Sequence, residues 1–363
     1  MKSIDRNEKL KKLLKNMQQS ANKRDTFNTP CEDALKNIVA AKEPSYREVL
    51  LCIVVQMLLN PNLKASEDWY GFNPRGIYDK GPVKQFLLEN GIPHTKSGPL
   101  NISKASNINI AWAERRRSTD IANELIRVLT YLETNNSFEQ IHSVGVSLIK
   151  KLLDESKRIQ KLTINVSPSH DPIILSSICI RLIDNAPDAG NTPQKIAAML
   201  LKNYHISLHT GVIVTGENDR ASVTSTTSRK PGDVNEEGPG KIYKVYEITV
   251  KPFDFDRIID SYDCITKYNI RSNTLIHEIV VICRPEDCPK LDTSGCSAFY
   301  LGRFVYQDVV YYYWNIYEWI VYMLQQMPDD GRLLFFVNLS GYIADINTAE
   351  TVKLEWQKIF LNN

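Results

Sequence analysis

The sequence has almost no net charge: 44 Lys and Arg stand against 42 Asp and Glu, a formal +2 at neutral pH over 363 residues. A global positive field is thereby excluded, so any surface that meets nucleic acid must be a local patch. A disulfide framework is also missing. The seven cysteines are odd in number and scattered, which fits reduced thiols and a cytoplasmic setting. Cys283, Cys288 and Cys296 come nearest to a cluster, but they lack the short paired knuckles of a zinc site. The N-terminus opens on charged residues instead of a signal-type apolar segment, and the apolar run Val49 to Leu59 is too short to span a bilayer. No membrane partner is expected. Long disordered stretches are not expected either, because 43% apolar and 24% charged residues are ordinary for a globular protein.

The length suffices for a large core and favours two domains or one large one. A turn-rich stretch, VSPSHDP from Val166 to Pro172, marks a boundary. We divide the chain into a helical region, 1–165, and a core, 166–363. In the first, Leu10, Leu13, Leu14 and Met17 alternate with Lys9, Lys11, Lys12 and Lys15, the pattern of an amphipathic helix with a solvated basic face. A buried helix is expected over Pro44 to Leu59 with Ser45 as its N-cap. Ser118 to Leu132 and Phe138 to Ile159 carry apolar residues at helical spacing.

Between them, Trp69 to Arg117 is rich in Gly, Pro, Asn and Ser, with aromatic and cationic residues interleaved. From Arg75 to Arg117 eight cations face three acids. Loops with such an excess can follow a groove and donate to phosphates and base edges. Arg75, Lys80, Lys96, Lys104, Arg115, Arg116 and Arg117 are therefore the expected DNA-contacting residues, the alternative being a helix-connecting loop with incidental charge.

In the second half, Ile173 to Leu182 reads as a buried helix, with a strand left open by its β-branched content, and Pro193 to Tyr204 as the helix preceding a sheet. Val212 to Thr227 supplies β-branched residues. Asp254 to Tyr268 reads as a helix and Thr274 to Cys283 as a β-branched strand. The aromatic run from Val309 to Met327 reads as a helix with a stripe of Tyr312, Tyr313, Ile316, Ile320, Met323 and Leu324. Leu333 to Asn338 reads as a short buried strand, and Thr351 to Phe360 as a terminal helix.

The chemistry concentrates in Pro231 to Lys251, PGDVNEEGPGKIYKVYEITVK. Turn formers from Asn235 to Gly240 suggest a hairpin whose first strand ends at Asp233. On the second strand Val245, Glu247, Thr249 and Lys251 share one face, and Tyr246, Ile248 and Val250 form the other. Pairing sets the carboxylates of Asp233 and Glu247 side by side, with an ammonium further along. Paired carboxylates repel, and a divalent cation relieves that repulsion. Magnesium suits them, since it is commonly held by one or two carboxylates plus water and substrate phosphate. Such an ion activates water for phosphodiester hydrolysis, with Lys251 steadying the developing charge.

These residues resemble the PD-(D/E)XK nuclease superfamily, which includes most type II restriction endonucleases. PGDV before an acid-x-x-x-Lys strand, and a Trp-containing helix ending in Ile359 and Phe360, are most similar to the SacI-like family. Two departures stand out: Gly232 separates Pro231 from Asp233, and Thr249 occupies the usual Lys position. The resemblance implies an α/β fold, an α-rich N-terminal region followed by a mixed-sheet nuclease core. It implies Asp233 and Glu247 as metal ligands and, with Lys251, as catalytic residues, Mg2+ as cofactor, and a homodimer cutting double-stranded DNA at a specific sequence. The helix at Pro193 to Tyr204 carries no acid, so a further metal ligand would come from Glu217, Asp219 or the substrate. The competing readings are another DNA nuclease, of repair or phage defence, and a DNA-binding protein that does not cleave.

Overall fold

The structure is a computed structural model that describes residues 3–23, 29–79, 81–99, 106–217, 230–288 and 295–361. Lys80, Lys104 and Asp219 lie outside the described residues, as does the β-branched stretch beyond Glu217. The chain divides into two compact units, Met1–Lys161 and Leu162–Asn363.

Among its described residues, the regular secondary structure of the first unit is all helical. Its helices are α1 (Ser3–Asn22), α2 (Glu32–Ala40), α3 (Ser45–Met57), α4 (Pro74–Ile77), α5 (Pro82–Glu89), α6 (Ile110–Ala113), α7 (Thr119–Thr134) and α8 (Phe138–Gln160). On α1, Leu10, Leu14, Met17 and Ala21 are buried at three- and four-residue spacing, while the lysines between them stay outside. Every residue of α3 is buried, so its polar side chains must find partners inside. Arg47 donates to the carbonyls of Val39 (2.9 Å) and Pro93 (3.1 Å), and Gln56 to that of Phe72 (2.7 Å). Glu48 accepts from the Thr95 amide (2.5 Å) and the Thr95 hydroxyl (2.6 Å). These bonds pin the loop after α5 to the buried helix. A Cβ at Gly98 would lie 2.0 Å from Thr95 Oγ1 and 2.3 Å from Glu48 Oε2, so this turn closes only around glycine. The expected Ser45 cap is corrected: Pro44 takes the cap position, without a side-chain bond, and Ser45 is the first helical residue.

The second unit is α/β. It runs α9 (Pro172–Asn185), α10 (Asn191–Ser207), β1 (Ile213–Thr215), β2 (Val234–Gly238), β3 (Lys241–Ile248), α11 (Phe255–Ser272), β4 (Glu278–Cys283), β5 (Tyr300–Tyr306), β6 (Val309–Asn315), α12 (Ile316–Gln326), α13 (Asp329–Ala344) and α14 (Glu350–Leu361). The strands form one mixed sheet in the order β1-β2-β3-β4-β6-β5. β1, β2 and β3 are antiparallel neighbours, β3 to β4 and β4 to β6 are parallel, and β5 returns antiparallel on β6. A parallel β3–β4 pair needs a long crossover, and α11 supplies it.

Both faces of the sheet are covered. Tyr246, Ile248, Val280 and Ile282 pack in one core with residues of α9, α10, α12, α13 and α14. Val245, Ile279, Val281, Tyr311 and Tyr313 pack in another with Ile258 and Ile265 of α11. The Glu247 face of β3 is therefore covered as well: parallel strands are buried on both sides, and β3 enters the parallel part of the sheet at its C-terminal end.

Three element assignments also change. The hairpin turn is Pro239 and Gly240, with Gly240 at φ 69°; Asn235 to Gly238 belong to β2, and Asp233 precedes that strand. Val309 to Asn315 is a strand, because its bulky side chains alternate between the two cores, and the helix begins only at Ile316 with Asn315 as its cap. Leu333 to Asn338 is helical. Its buried residues Phe335, Phe336, Leu339 and Ile343 recur at three- and four-residue spacing, while Leu333 and Val337 are exposed; a short apolar run does not disclose its period.

Candidate active site

Asp233 and Glu247 are brought together by the β2–β3 register. Val234 pairs with Tyr246, so Asp233, one residue before, stands opposite Glu247, one residue after. The approach is close. A Cβ on Gly232 would lie 2.5 Å from Val245 Cγ1 and 2.9 Å from the Tyr246 carbonyl oxygen, and one on Gly216 would lie 2.0 Å from the Asp233 carbonyl oxygen. Gly232, which separates Pro231 from Asp233, is thus required by backbone contact with β3. Asp233 Oδ2 accepts the Ile248 amide at 3.0 Å, which aims its carboxylate along the end of β3.

Glu247 is 5% exposed and points toward α11, where Ser261 Oγ lies 3.5 Å from Oε1. Burial, and then the negative charge of Asp233, push its carboxyl well above the usual glutamate range; Arg257 and Ser261 pull the other way without prevailing. The site therefore holds two acids that one face of one sheet cannot keep ionised together without a cation.

The residues after Glu247 depart from the expected strand. β3 ends at Ile248, so Lys251 does not share a strand face with Glu247; it lies in the following bend with its side chain exposed. Thr249 is buried, and its hydroxyl is an organising point. It donates to the Lys251 carbonyl (2.8 Å) and accepts from the Lys251 amide (3.0 Å) and from Arg257 Nη1 (2.6 Å). Arg257 is the third residue of α11. Its amide donates to the capping carboxylate of Asp254 (3.2 Å), and its guanidinium lies 4.6 Å from the Phe253 ring centroid.

Neither Arg257 nor Ser261 was legible as a site residue. The available signal was the Asp254 cap, which starts α11 just beyond the acid strand and so brings the first turns of the helix against the carboxylate. Glu217, considered as a further ligand, is engaged by Lys202 Nζ at 2.8 Å. Among the described residues no cluster of three or more His, Cys, Asp or Glu is arranged to hold a metal. Cys283 and Cys288 bring their sulfurs to 3.5 Å as free thiols. A cavity of about 410 Å³ opens on the opposite sheet face, lined by Lys244, Glu278, Phe299, Tyr300 and Trp314 among others. Neither acid lines it, so the acid pair is identified by its chemistry and not by concavity.

The expected DNA-contacting residues lie in the helical unit. Arg75, Lys96, Arg115 and Arg117 are exposed. Arg116 is partly committed: Nε donates to the Trp112 carbonyl (3.3 Å), and the guanidinium lies 5.3 Å from that indole. Comparison with protein-family models and with curated proteins finds no match to this chain. No described helix is long and apolar enough to cross a membrane.

Proposed function

We propose that the chain is a magnesium-dependent endonuclease of the PD-(D/E)XK type, cutting double-stranded DNA at a specific sequence as a type II restriction enzyme. The observation that carries this reading is the pairing of Asp233 with a Glu247 that is buried and raised in pKa beside it. A structural acid so deeply placed is normally surrounded by donors, whereas this one faces a second acid. The element order adds support: three antiparallel strands, then α11, then β4 parallel to the acid strand.

Asp233 and Glu247 fit a divalent cation, because a double positive charge relieves both the burial of Glu247 and its repulsion by Asp233. Two protein carboxylates and no third described acid or imidazole suit magnesium, which completes its shell with water and phosphate oxygens. When bound, the ion supplies Lewis-acid polarisation of the phosphate and a more acidic water. The protein's own part is to hold the acids: Asp233 through the Ile248 amide, Glu247 through its place on a covered strand. A homodimer accounts most simply for two symmetric cuts. The exposed Arg75, Lys96, Arg115 and Arg117 would supply phosphate and base contacts.

Incubation of a long DNA of known sequence with the protein, with and without magnesium, tests the reading. Discrete fragments that require magnesium are expected, and Asp233→Ala or Glu247→Ala should each lower the rate at least ~1,000-fold while binding persists. A smear would replace site-specific cutting with a nonspecific nuclease. Bound but intact DNA under every condition would leave a binding protein and overturn the enzymatic assignment.

A further inference from the structure

Resting on that reading, we infer that Arg257, reaching in from α11, is the cation that contacts the scissile phosphate, in place of a lysine on the acid strand. Three observations converge on it. Thr249, two residues beyond Glu247, offers a buried hydroxyl where a strand cation would otherwise stand, and that hydroxyl receives Arg257 Nη1 at 2.6 Å. The helix that bears Arg257 packs against the acid one turn further on, where Ser261 Oγ lies 3.5 Å from Glu247 Oε1, so the guanidinium stands at the acid end of the strand. The chain's other nearby candidate, Lys251, is past the strand end and exposed, with its backbone amide and carbonyl both bonded to Thr249.

The guanidinium is held but not consumed. Among the described residues the bond to Thr249 is the one hydrogen bond its side chain makes, and the guanidinium carbon lies over the Phe253 ring, 4.6 Å from its centroid. Five N–H donors in a fixed fork suit phosphate oxygens in a way that a lone ammonium does not. Both ends of the residue are anchored: its backbone amide is tied to Asp254 in the first turn of α11, and its guanidinium to Thr249 and the Phe253 ring, so few side-chain rotations remain to be fixed when substrate arrives.

In the reaction a water oxygen forms a bond to phosphorus and one phosphodiester P–O bond breaks. The water gives up a proton, the departing sugar oxygen takes one up, and the elements of water end divided between the two new termini. Negative charge gathers on the non-bridging and departing oxygens as this occurs. Arg257 donates to those oxygens, and Thr249 is a positioning residue that aims it.

The test measures single-turnover cleavage at saturating enzyme and magnesium, with DNA affinity recorded in parallel. Arg257→Ala should slow cleavage roughly 100- to 1,000-fold, the usual cost of one transition-state donor, with affinity changed less than about threefold. Arg257→Lys, which restores the charge without the fork, should recover only part of that loss, cutting about tenfold faster than the Ala variant and still slower than the parent. Added methylguanidinium should speed the Ala variant roughly tenfold, and tetramethylammonium at equal ionic strength should not. Near-normal cutting by Arg257→Ala, or a slow variant that neither Lys nor methylguanidinium restores, would overturn the inference and leave Arg257 a helix-start residue. If the Ala variant does not fold, Arg257→Gln, which keeps the stem over Phe253, is measured in its place against the same outcomes. Failure here is separable from failure of the nuclease reading: there the parent protein cuts no DNA, here it cuts and Asp233→Ala still abolishes cutting.

Discussion

Glu48 of the helical unit and Glu247 of the sheet unit are both deeply buried, and the two are furnished in opposite ways. Glu48, 1% exposed in the helical unit, has both carboxylate oxygens occupied by Thr95, whose hydroxyl in turn accepts the Gly98 amide at 2.5 Å and whose carbonyl accepts the Tyr78 hydroxyl at 2.7 Å. Glu247, 5% exposed in the sheet unit, has one hydroxyl at 3.5 Å and a second carboxylate for company. Burial alone therefore says nothing about role. A buried acid whose donors are complete fastens structure, and a buried acid short of donors beside a second acid is a candidate for binding a cation. The same distinction sorts the cations, between those spent on internal partners and those left to face a ligand.

The largest expected effect attacks the complete acid. Glu48→Ala strands a buried amide and hydroxyl of Thr95 and unties the loop that carries Lys96, and should destabilise the helical unit by about 3 kcal/mol. Glu48→Gln keeps one acceptor and should cost about half as much. Urea denaturation followed by far-ultraviolet dichroism measures both; a loss below about 0.5 kcal/mol for the alanine variant would mean that this network fastens nothing.

Glu247 should respond with the opposite sign. Its folded pKa is raised above the ordinary 4.5, so the fold binds its proton more tightly than the unfolded chain does. Its contribution to stability is full below the unfolded value and is lost as pH rises through the raised folded value. In chelator at pH 8, Glu247→Gln should therefore be more stable than the parent by about 1 to 2 kcal/mol, and the gap should close toward pH 4. Magnesium should stabilise the parent and leave the glutamine variant nearly unmoved, a readout independent of cleavage. A gap that persists unchanged at pH 4 would show that burial and charge at Glu247 are not its source.

That contrast was half legible in the sequence. A hairpin that could set Asp233 beside Glu247 was legible in the alternation of Val245, Tyr246, Glu247 and Ile248, but its turn was not, since Asn235 to Gly238 continue β2. The helices at Ile173 and Pro193, the crossover helix α11 and the strand β4 were legible from caps and periodicity. What failed had a common cause: an apolar run this short does not disclose its period. Val309 to Asn315 and Leu333 to Asn338 were exchanged between helix and strand for that reason, although turn chemistry at Gln307, at φ 55°, closes the β5–β6 hairpin. Arg257 was hidden because its partner Thr249 is near in space through a helix start, and no spacing rule reports such a contact. The donors of Glu48 were hidden likewise, since Thr95 lies far along the chain.

The arginine run allows a finer cut. Arg115 and Arg117 are exposed, whereas Arg116 is spent on Trp112. Replacing Arg115 and Arg117 by Ala should lower the salt dependence of DNA binding by about two units of slope, near one for each phosphate no longer neutralised. Arg116→Ala should change the slope by less than about half a unit and instead cost about 1 kcal/mol of stability through the indole. Equal slopes for the two variants would erase the division between spent and unspent cations on this surface.

The smallest expected effect is at Lys251. Its side chain is exposed beyond the end of β3, and the groups of this residue that hold the site are its amide and carbonyl, both on Thr249 Oγ1. Alanine keeps both backbone groups, so Lys251→Ala should lower single-turnover cleavage less than about threefold, with any loss appearing as weaker binding that high salt removes. Thr249→Val takes away the acceptor of Arg257 Nη1 at nearly constant volume and should cost at least about tenfold in rate with binding retained. The ranking matters more than either value. If Lys251→Ala proves the more damaging of the two at saturating magnesium, the exposed cation is the one the phosphate meets, and a charge left facing solvent on this loop is aimed at substrate after all. If Thr249→Val is the more damaging, the cation that acts is the one the fold has aimed from α11, and the buried hydroxyl at the usual lysine position serves to hold it there.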